Sequence, residues 1–505
     1  MVGSRPMQAA RAASSGTAGS PGSSGRSRGW LYLALTIVLL IFYNSGSDWI
    51  RAEKSHIRSG SDLVSRGLVW PPWRALQLYV SHDSDEHLFF EYSRLILGEP
   101  ADLHYIAAAN LGDTAAIEQQ LKDRFAARPG SASRYRYISF GYPPVGLLAL
   151  LLPRLVTSTL HGYRLVFGAL MSLFFLGTMA VGWRLSRRAG HYLLQAQWDK
   201  YTALLLFCIG PTLMMRYDIV PALLTAAVVA ALSARRALLA TVCLLLGVAA
   251  KLYPALLLPT WLGLLLGFAG PARQTAGRVV AALLAVAALT GLSLLVRGGA
   301  IPLWAERLTF DVRPFQVESL PGALLALPGW PGSLTASFGS FNAQSELARR
   351  LLPYWSLLST GVAVASGALA YLWASRRRHA SQKEQSCALV VWTLVALLLN
   401  LMVTKVLSAQ YLIWCLPFAA LVPGRRGRAL LYGLAGIFFL TQLIYPTLYG
   451  ALIAGSDFVF ALLLLRNFLL CAVGGLGLFW LWRGQLGAAP ERLPRAVAAS
   501  DKEAR

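Results

Sequence analysis

Long apolar runs separated by short basic loops dominate the chain. After a first run at Trp30–Tyr43, apolar segments fall near 143–157, 163–183, 200–215, 217–234, 237–250, 252–270, 279–297, 354–374, 387–404, 408–422, 429–446 and 457–482. A bilayer-crossing helix needs about 20 apolar residues. The pattern therefore predicts an all-α polytopic membrane protein with roughly 12 transmembrane helices. Between the runs lie Arg184-Arg187-Arg188, Arg235-Arg236, Arg273-Arg278, Arg376-Arg377-Arg378, Arg425-Arg426-Arg428 and the Arg483 tail. Positive charge marks the cytoplasmic side, and placing every cluster there gives a consistent alternation from Tyr163 onward. Segment 143–157 has only about ten apolar residues before Pro153-Arg154, short of a span, and reads as a half-helix entering from outside. Gly210-Pro211, Pro221, Pro254 and Pro259 break other runs. Interrupted helices tend to mark a polar site at membrane depth.

The polar stretches divide the chain. Residues 1–29 are Ser, Gly, Ala and Arg without an acid, which predicts a disordered cytosolic tail. Residues 30–46 read as an uncleaved first transmembrane helix. Residues 47–142 form an outer loop carrying 12 of the 23 acids against 11 of the 46 basic residues. A near-neutral loop in so basic a chain belongs outside. In it, Leu68–Val80 with Trp70-Pro71-Pro72-Trp73 resembles an interfacial segment. Thr114–Ala127 spaces Ile117, Leu121 and Phe125 by four, as an amphipathic helix does. A transmembrane block at 143–297, a second outer loop at 298–353, a C-terminal transmembrane block at 354–482 and a cytosolic tail at 483–505 complete the chain.

Composition agrees with this division. Of 505 residues 56% are hydrophobic and 14% charged, with a mean hydropathy of +0.53, which excludes a soluble multidomain protein. The net charge of +23 sits in the short loops, so it calls for membrane lipids and not nucleic acid. Cys208, Cys243, Cys387, Cys415 and Cys471 all lie in apolar segments without paired spacing and suggest neither disulfide nor zinc site.

Candidate chemistry gathers on the outer side. His82-Asp83-Ser84-Asp85-Glu86-His87 places three carboxylates within four positions. A positioned Asp can take the proton from an attacking hydroxyl. Alone, the same stretch equally describes a solvated loop capping a helix that starts at Ser84 or Asp85. Four cations lie at outer ends where the charge rule would not place them: Arg216, Lys251, Arg313 and Lys405. Ionisable groups at membrane depth cost several kcal/mol and face protein or an aqueous cavity. Snorkelling, or a buried Arg216–Asp218 ion pair, is the structural alternative. Four cations opposed by an acidic loop suit transfer from a lipid phosphate, whose developing charge they would stabilise. Tyr92, Tyr142, Phe315 and Trp330 could stack on sugar faces, as could any interfacial aromatic.

Several motifs carry a resemblance. Arg216-Tyr217-Asp218-Ile219-Val220-Pro221, Lys251-Leu252-Tyr253-Pro254, Gln316-Val317-Glu318-Ser319-Leu320 and Lys405-Val406-Leu407-Ser408-Ala409-Gln410-Tyr411-Leu412-Ile413-Trp414 with Pro417 are similar in order and spacing to those of glycosyltransferase family 87. That family comprises polyprenyl-phosphate-mannose-dependent mannosyltransferases of the GT-C membrane fold. The resemblance runs from Asp85 to about Pro423. It implies an inverting enzyme whose first outer loop carries an essential Asp, followed by an aromatic, a Tyr, Gly-x-Pro and Tyr-Pro-Pro. Asp85, Phe89, Tyr92, Gly98-Glu99-Pro100 and Tyr142-Pro143-Pro144 fit, which favours Asp85 over Asp83 as base. Asp102–Phe140 is longer and more hydrophilic than the family pattern, and Asp85 lies farther from the first span.

The expectation is a hexosyltransferase of a bacterial inner membrane, both termini cytoplasmic. It would move mannose or another hexose from a polyprenyl-phosphate donor to a lipid or glycan hydroxyl. Arg216, Lys251, Arg313 and Lys405 would hold the phosphate, and Asp218, Tyr253, Gln316, Glu318, Gln410 and Tyr142 would orient those groups or the sugar. No cofactor is certain; His82, Asp83, Asp85 and His87 are ligand types that could take a divalent cation, though arginine and lysine suffice for a monophosphate. The alternative, a flippase for lipid-linked sugars, would require inverted halves with matching broken helices, which the sequence does not display.

Overall fold

The computed structural model describes residues 34, 85–109, 115, 118–119, 122–123, 144–189, 198–297, 313–422 and 424–486. The expected first span, the interfacial Trp-Pro-Pro-Trp segment and both tails lie outside these residues. The architecture is helical: α1 (Asp85–Leu97), α2 (Leu103–Ala109), α3 (Pro144–Leu151), α4 (Leu160–Ala189), α5 (Trp198–Ile209), α6 (Ile219–Ser233), α7 (Ala237–Ala250), α8 (Tyr253–Gly267), α9 (Pro271–Arg297), α10 (Leu320–Ala326), α11 (Glu346–Ser375), α12 (Gln382–Val403), α13 (Gly424–Gln442) and α14 (Asp457–Trp482). Among the described residues, five helices are long and apolar enough to cross a membrane: Leu160–Arg188, Glu346–Ser375, Gln382–Val403, Gly424–Thr447 and Asp457–Trp482. This is a membrane protein. Seven shorter apolar helices accompany them among the described residues.

Sequence boundaries hold closely for α7 and α14, whose apolar runs end at the same residues as their helices. Segment 143–157 contains the eight-residue α3 and one 3-10 turn before the chain reverses into α4. The C-terminal block departs from expectation, because α11 starts at Glu346 and not near 354. Ser345 accepts a hydrogen bond from the Ala348 amide and Glu346 lies in the first turn, and an N-cap hydroxyl with an acid beside it starts a helix before its apolar face begins.

Two poles organise the helices. At one, Arg188 donates to Ala230 O, Gln382 to Ser233 O and the Ala269 amide to Arg378 O, while Arg376 lies over Trp482. The basic loops after α4, α6, α8, α11 and α14 thus share one end, as the charge rule requires. At the other end Trp355 donates to Val403 O, Thr212 to Gln442 and Lys251 to Asp218. Helices α6, α7 and α8 have 15, 14 and 15 residues, about 22 Å at 1.5 Å per residue. Against α4 and α11, with 30 residues each, they stop short. Their upper ends therefore lie in a recess.

Among the described residues the most extensive helix contact is α8 on α11, with glycines at its closest points. A Cβ on Gly263 would overlap the Gly367 carbonyl, one on Gly267 would lie 2.6 Å from the Ala374 Cβ, and one on Gly367 would lie 2.7 Å from Pro259 O. Small residues four apart let membrane helices approach at backbone distance, where dispersion replaces the missing hydrophobic drive. Deeper in, Trp261 donates to Thr393 at 2.9 Å, tying α8 to α12.

Residues 313–345 form a small folded cap at the recess end. Leu334–Ser337 pairs antiparallel with Ser340–Ala343, a hairpin that the all-α expectation lacked. Phe338 and Gly339 both take positive φ, as a two-residue hairpin turn demands. Phe315, Val317 and Ala323 pack with Ile444, Leu448, Val459 and Phe460 in a second core.

Gly263→Leu should lower the melting temperature in detergent by the equivalent of about 1–3 kcal/mol of overpacking or more. Gly277→Ala on α9, where a Cβ meets nothing within 4 Å, should leave it unchanged or slightly raised. Equal behaviour of the two variants would contradict the seam.

Candidate functional site

Three of the four singled-out cations lie where one helix stops and another element begins. Arg216 follows the one-turn helix Thr212–Met215 in extended conformation, φ −126 and ψ 137. Lys251 ends α7 in extended conformation, φ −163 and ψ 141, and α8 starts two residues on, at Tyr253, with Pro254 in its first turn. Lys405 follows Thr404, the C-cap of α12. A helix C-terminus carries partial negative charge that favours a cation. Asp218, just before α6, occupies the opposite end, where an anion is favoured.

Asp218 and Lys251 meet. Lys251 Nζ donates to Asp218 Oδ1 at 2.6 Å, and Trp414 Nε1 donates to the same oxygen at 2.8 Å. The structure therefore pairs Asp218 with Lys251, and not with Arg216 as the structural alternative supposed. The carboxylate is 1% exposed and the lysine 17%, so the acid lies behind the cation. Aromatic rings enclose the ammonium, with Tyr411, Tyr217 and Trp414 centroids at 4.6, 5.4 and 5.5 Å. Trp414 is itself stacked between Tyr253 at 3.8 Å and Tyr411 at 4.3 Å. The Tyr253 hydroxyl shares a 2.9 Å hydrogen bond with Thr225.

Arg216 joins a second polar chain. Its Nη2 donates to the Tyr445 hydroxyl at 2.8 Å, the Tyr445 ring meets Tyr449 edge-on at 5.0 Å, and Tyr449 donates to Glu318 Oε1 at 2.9 Å. Arg466, buried within α14, donates to Glu318 O at 2.7 Å. Burial pushes the Glu318 carboxyl above the usual carboxylate range, against the Tyr449 hydrogen bond and the Arg466 charge, which pull it down. The Gln316 amide donates to Lys405 O at 2.9 Å, fastening the cap to the end of α12; Lys405 is 1% exposed. Among the described residues Gln316 Oε1 and Gln410 Oε1 are buried without a hydrogen-bond partner.

Arg313 departs from the expected clamp. Its Nη2 donates to Phe338 O and Ser340 Oγ, both at 3.2 Å, so the hairpin holds it and the Lys251–Asp218 pair does not. Asp83, Tyr142 and His82 lie outside the described residues. Asp85 is the first residue of α1. That helix packs on α4 through Phe89–Phe167 and Phe90–Tyr163 and also contacts α3. At Gly146 of α3 a Cβ would stand 2.9 Å from both Ala250 O and the Tyr217 ring. Helix α1 is thereby linked through α3 to the backbone that precedes Lys251.

Sequence reasoning missed Arg466, Tyr445 and Tyr449, and named Glu86 in the acidic stretch without giving it a role of its own. Arg466 interrupts the apolar run 457–482, and the rule that picked out Lys251 would have found it. Glu86 is fully buried beside Asp85, which no local pattern announces. Among the described residues no three His, Cys, Asp or Glu side chains gather as metal ligands; the suggested cation ligands His82 and Asp83 are not among them. No protein-family model, curated protein or solved structure matches the chain.

Lys251→Met should cost about 3–5 kcal/mol, because Asp218 stays buried without its counter-charge. Asp218→Leu combined with Lys251→Met should cost clearly less, read by unfolding in detergent. Glu318 sets a pH dependence: with its folded pKa raised, its stabilising contribution is full below the ordinary carboxylate pKa and is lost as pH rises through the folded value. Melting temperature should fall across that window relative to Glu318→Gln; parallel curves would exclude this.

Proposed function

We propose that the chain is an integral-membrane glycosyltransferase moving a hexose, mannose by the family 87 resemblance, from a polyprenyl-phosphate donor to a lipid or glycan hydroxyl at the outer membrane face. In this reading the GT-C arrangement comprises roughly twelve spans, the two termini are cytoplasmic and the membrane is a bacterial inner membrane. The observation that carries it is the order of charges at Lys251: a buried Asp218 behind, the ammonium in front and aromatic rings around it. A carboxylate placed to hold and aim a lysine, in a recess between longer helices, is what an anionic headgroup requires. The rings suit the sugar it carries.

The reaction is one displacement. The acceptor oxygen attacks the anomeric carbon, the carbon–oxygen bond to phosphate breaks, and polyprenyl phosphate leaves with the electron pair. Asp85 takes the acceptor proton, and Lys251 and Arg216 stabilise the charge gained by the departing phosphate. Asp218 and Trp414 act through Lys251 as positioning residues, and Glu318 and Gln410 orient the sugar or the cap that covers it. Tyr142 stacks on the sugar in this reading, and Arg313 steadies the cap through its hairpin.

Membranes carrying the wild-type chain should transfer radiolabelled mannose from polyprenyl-phosphate mannose to extracted lipid. Asp85→Asn at equal expression should lose transfer by about a hundredfold or more. Full activity in the variant would move the base to another carboxylate. No transfer by wild type across several donor sugars and lipid extracts would overturn the enzyme class in favour of a transporter.

A further inference from the structure

The opposite pole holds a site of its own. Where α8, α11, α12 and α14 converge, a cleft of about 480 Å³ lies between Arg376, Arg377, Arg378, Phe268, Trp373 and Leu486. From these features we infer that it binds the anionic headgroup of a phospholipid from the leaflet facing the basic loops. The inference is independent of the chemistry proposed at the recess.

Three observations carry it. First, rings hold two of the guanidinium groups in place at the mouth of the cleft: Arg377, half-buried, lies 4.2 Å over Trp373, and Arg376, exposed, lies 4.8 Å over Trp482. The loop that bears them is fixed, since the Ala269 amide donates to Arg378 O at 3.0 Å and Gln385 donates to Ala380 O at 2.7 Å. Second, their charge is only partly offset among the described residues, by Glu384 acting on Arg377. Among the described residues none of the three arginines forms an ion pair. The acid lining the cleft, Glu384, accepts the Ser381 amide at 2.7 Å as half of a capping box. Burial and the neighbouring Arg376 lower the Arg377 pKa, against the Glu384 charge that raises it, and a bound anion would act in the same sense as Glu384.

Third, the walls are amphipathic in the sense a phospholipid is. The cleft opens at the helix ends, at headgroup level, with Phe268, Trp373 and Leu486 as its apolar lining. One turn into the membrane the exposed side chains are Leu266, Tyr371 and Leu372, a surface for acyl chains. Guanidinium forks match phosphate oxygens in pairs, and basic pockets between membrane helices bind anionic headgroups on this side. A free aqueous anion would gain nothing from the apolar lining.

The test uses the full chain in neutral detergent, with melting temperature followed as phosphatidylglycerol, phosphatidylcholine or inorganic phosphate is added. Phosphatidylglycerol should raise it, and neither of the others should. Arg376 and Arg378 are exposed, so Arg376→Gln with Arg378→Gln should still fold while weakening the half-maximal lipid concentration by about thirty-fold. Arg425→Gln with Arg426→Gln, basic residues at the same pole but outside the cleft, should keep the wild-type response. An equal shift with phosphatidylcholine would reduce the effect to general lipid solvation. Reproduction by phosphate alone would make the site aqueous, and equal loss in both variant pairs would make it nonspecific surface charge. Any of these three results overturns the inference.

Discussion

A charge that cannot reach water must find its opposite within the protein, and the Lys251–Asp218 pair is where this chain meets that requirement. Both partners stand at the ends of helices too short to carry them out to headgroup level. Their mutual attraction, the Trp414 hydrogen bond and three surrounding rings replace the lost hydration. The path of the chain around them follows. Helices α6, α7 and α8 must end together, α12 must deliver Lys405 and the Trp414 segment to the same level, and longer helices must wall the recess. Removing one partner alone would leave the other as an uncompensated charge inside the protein, the costliest change at this site.

The two poles divide the labour of charge. Arginines on the basic-loop side stand near water and lie on tryptophans, a weak and adaptable arrangement. Cations on the recess side are enclosed, hydrogen-bonded and placed at helix C-termini, a costly and fixed one. Positive side chains thus stand near water at one end and enclosed among rings and carboxylates at the other. Glu318 and Arg466 extend the enclosed kind into α14, so the cap of residues 313–345 is bound to the helices by polar contacts as well as by its own apolar core.

Much of this was legible in the sequence because hydropathy and charge act locally. The run 457–482 is α14 and the run 237–250 is α7; breaks at Pro254 and Gly210-Pro211 fell where helices end. Arg216, Lys251 and Lys405 were found from a rule about single residues in apolar surroundings. What the rule could not supply was pairing. Nothing within a dozen residues of Asp218 says that its partner is Lys251 and not the adjacent Arg216, because that choice depends on how α7 packs beside α6. Arg313 misled for the same reason: a hairpin made from Phe338-Gly339, weakly signalled by composition, claims its guanidinium. The cap's strands are short and carry no clean alternation, so the period that reveals longer strands has no room to show.

The glycine seam between α8 and α11 has a mechanical meaning. Backbones in contact at Gly263 and Gly367 cannot slide past one another without collision, so the two helices move as one stiff beam. One end of that beam bears Tyr253, stacked under Trp414; the other bears Arg376 and Arg377 at the cleft. Near its middle the beam is tied to α12 by the Trp261–Thr393 hydrogen bond, so the ring under Trp414 and the arginines of the cleft are parts of one rigidly packed body.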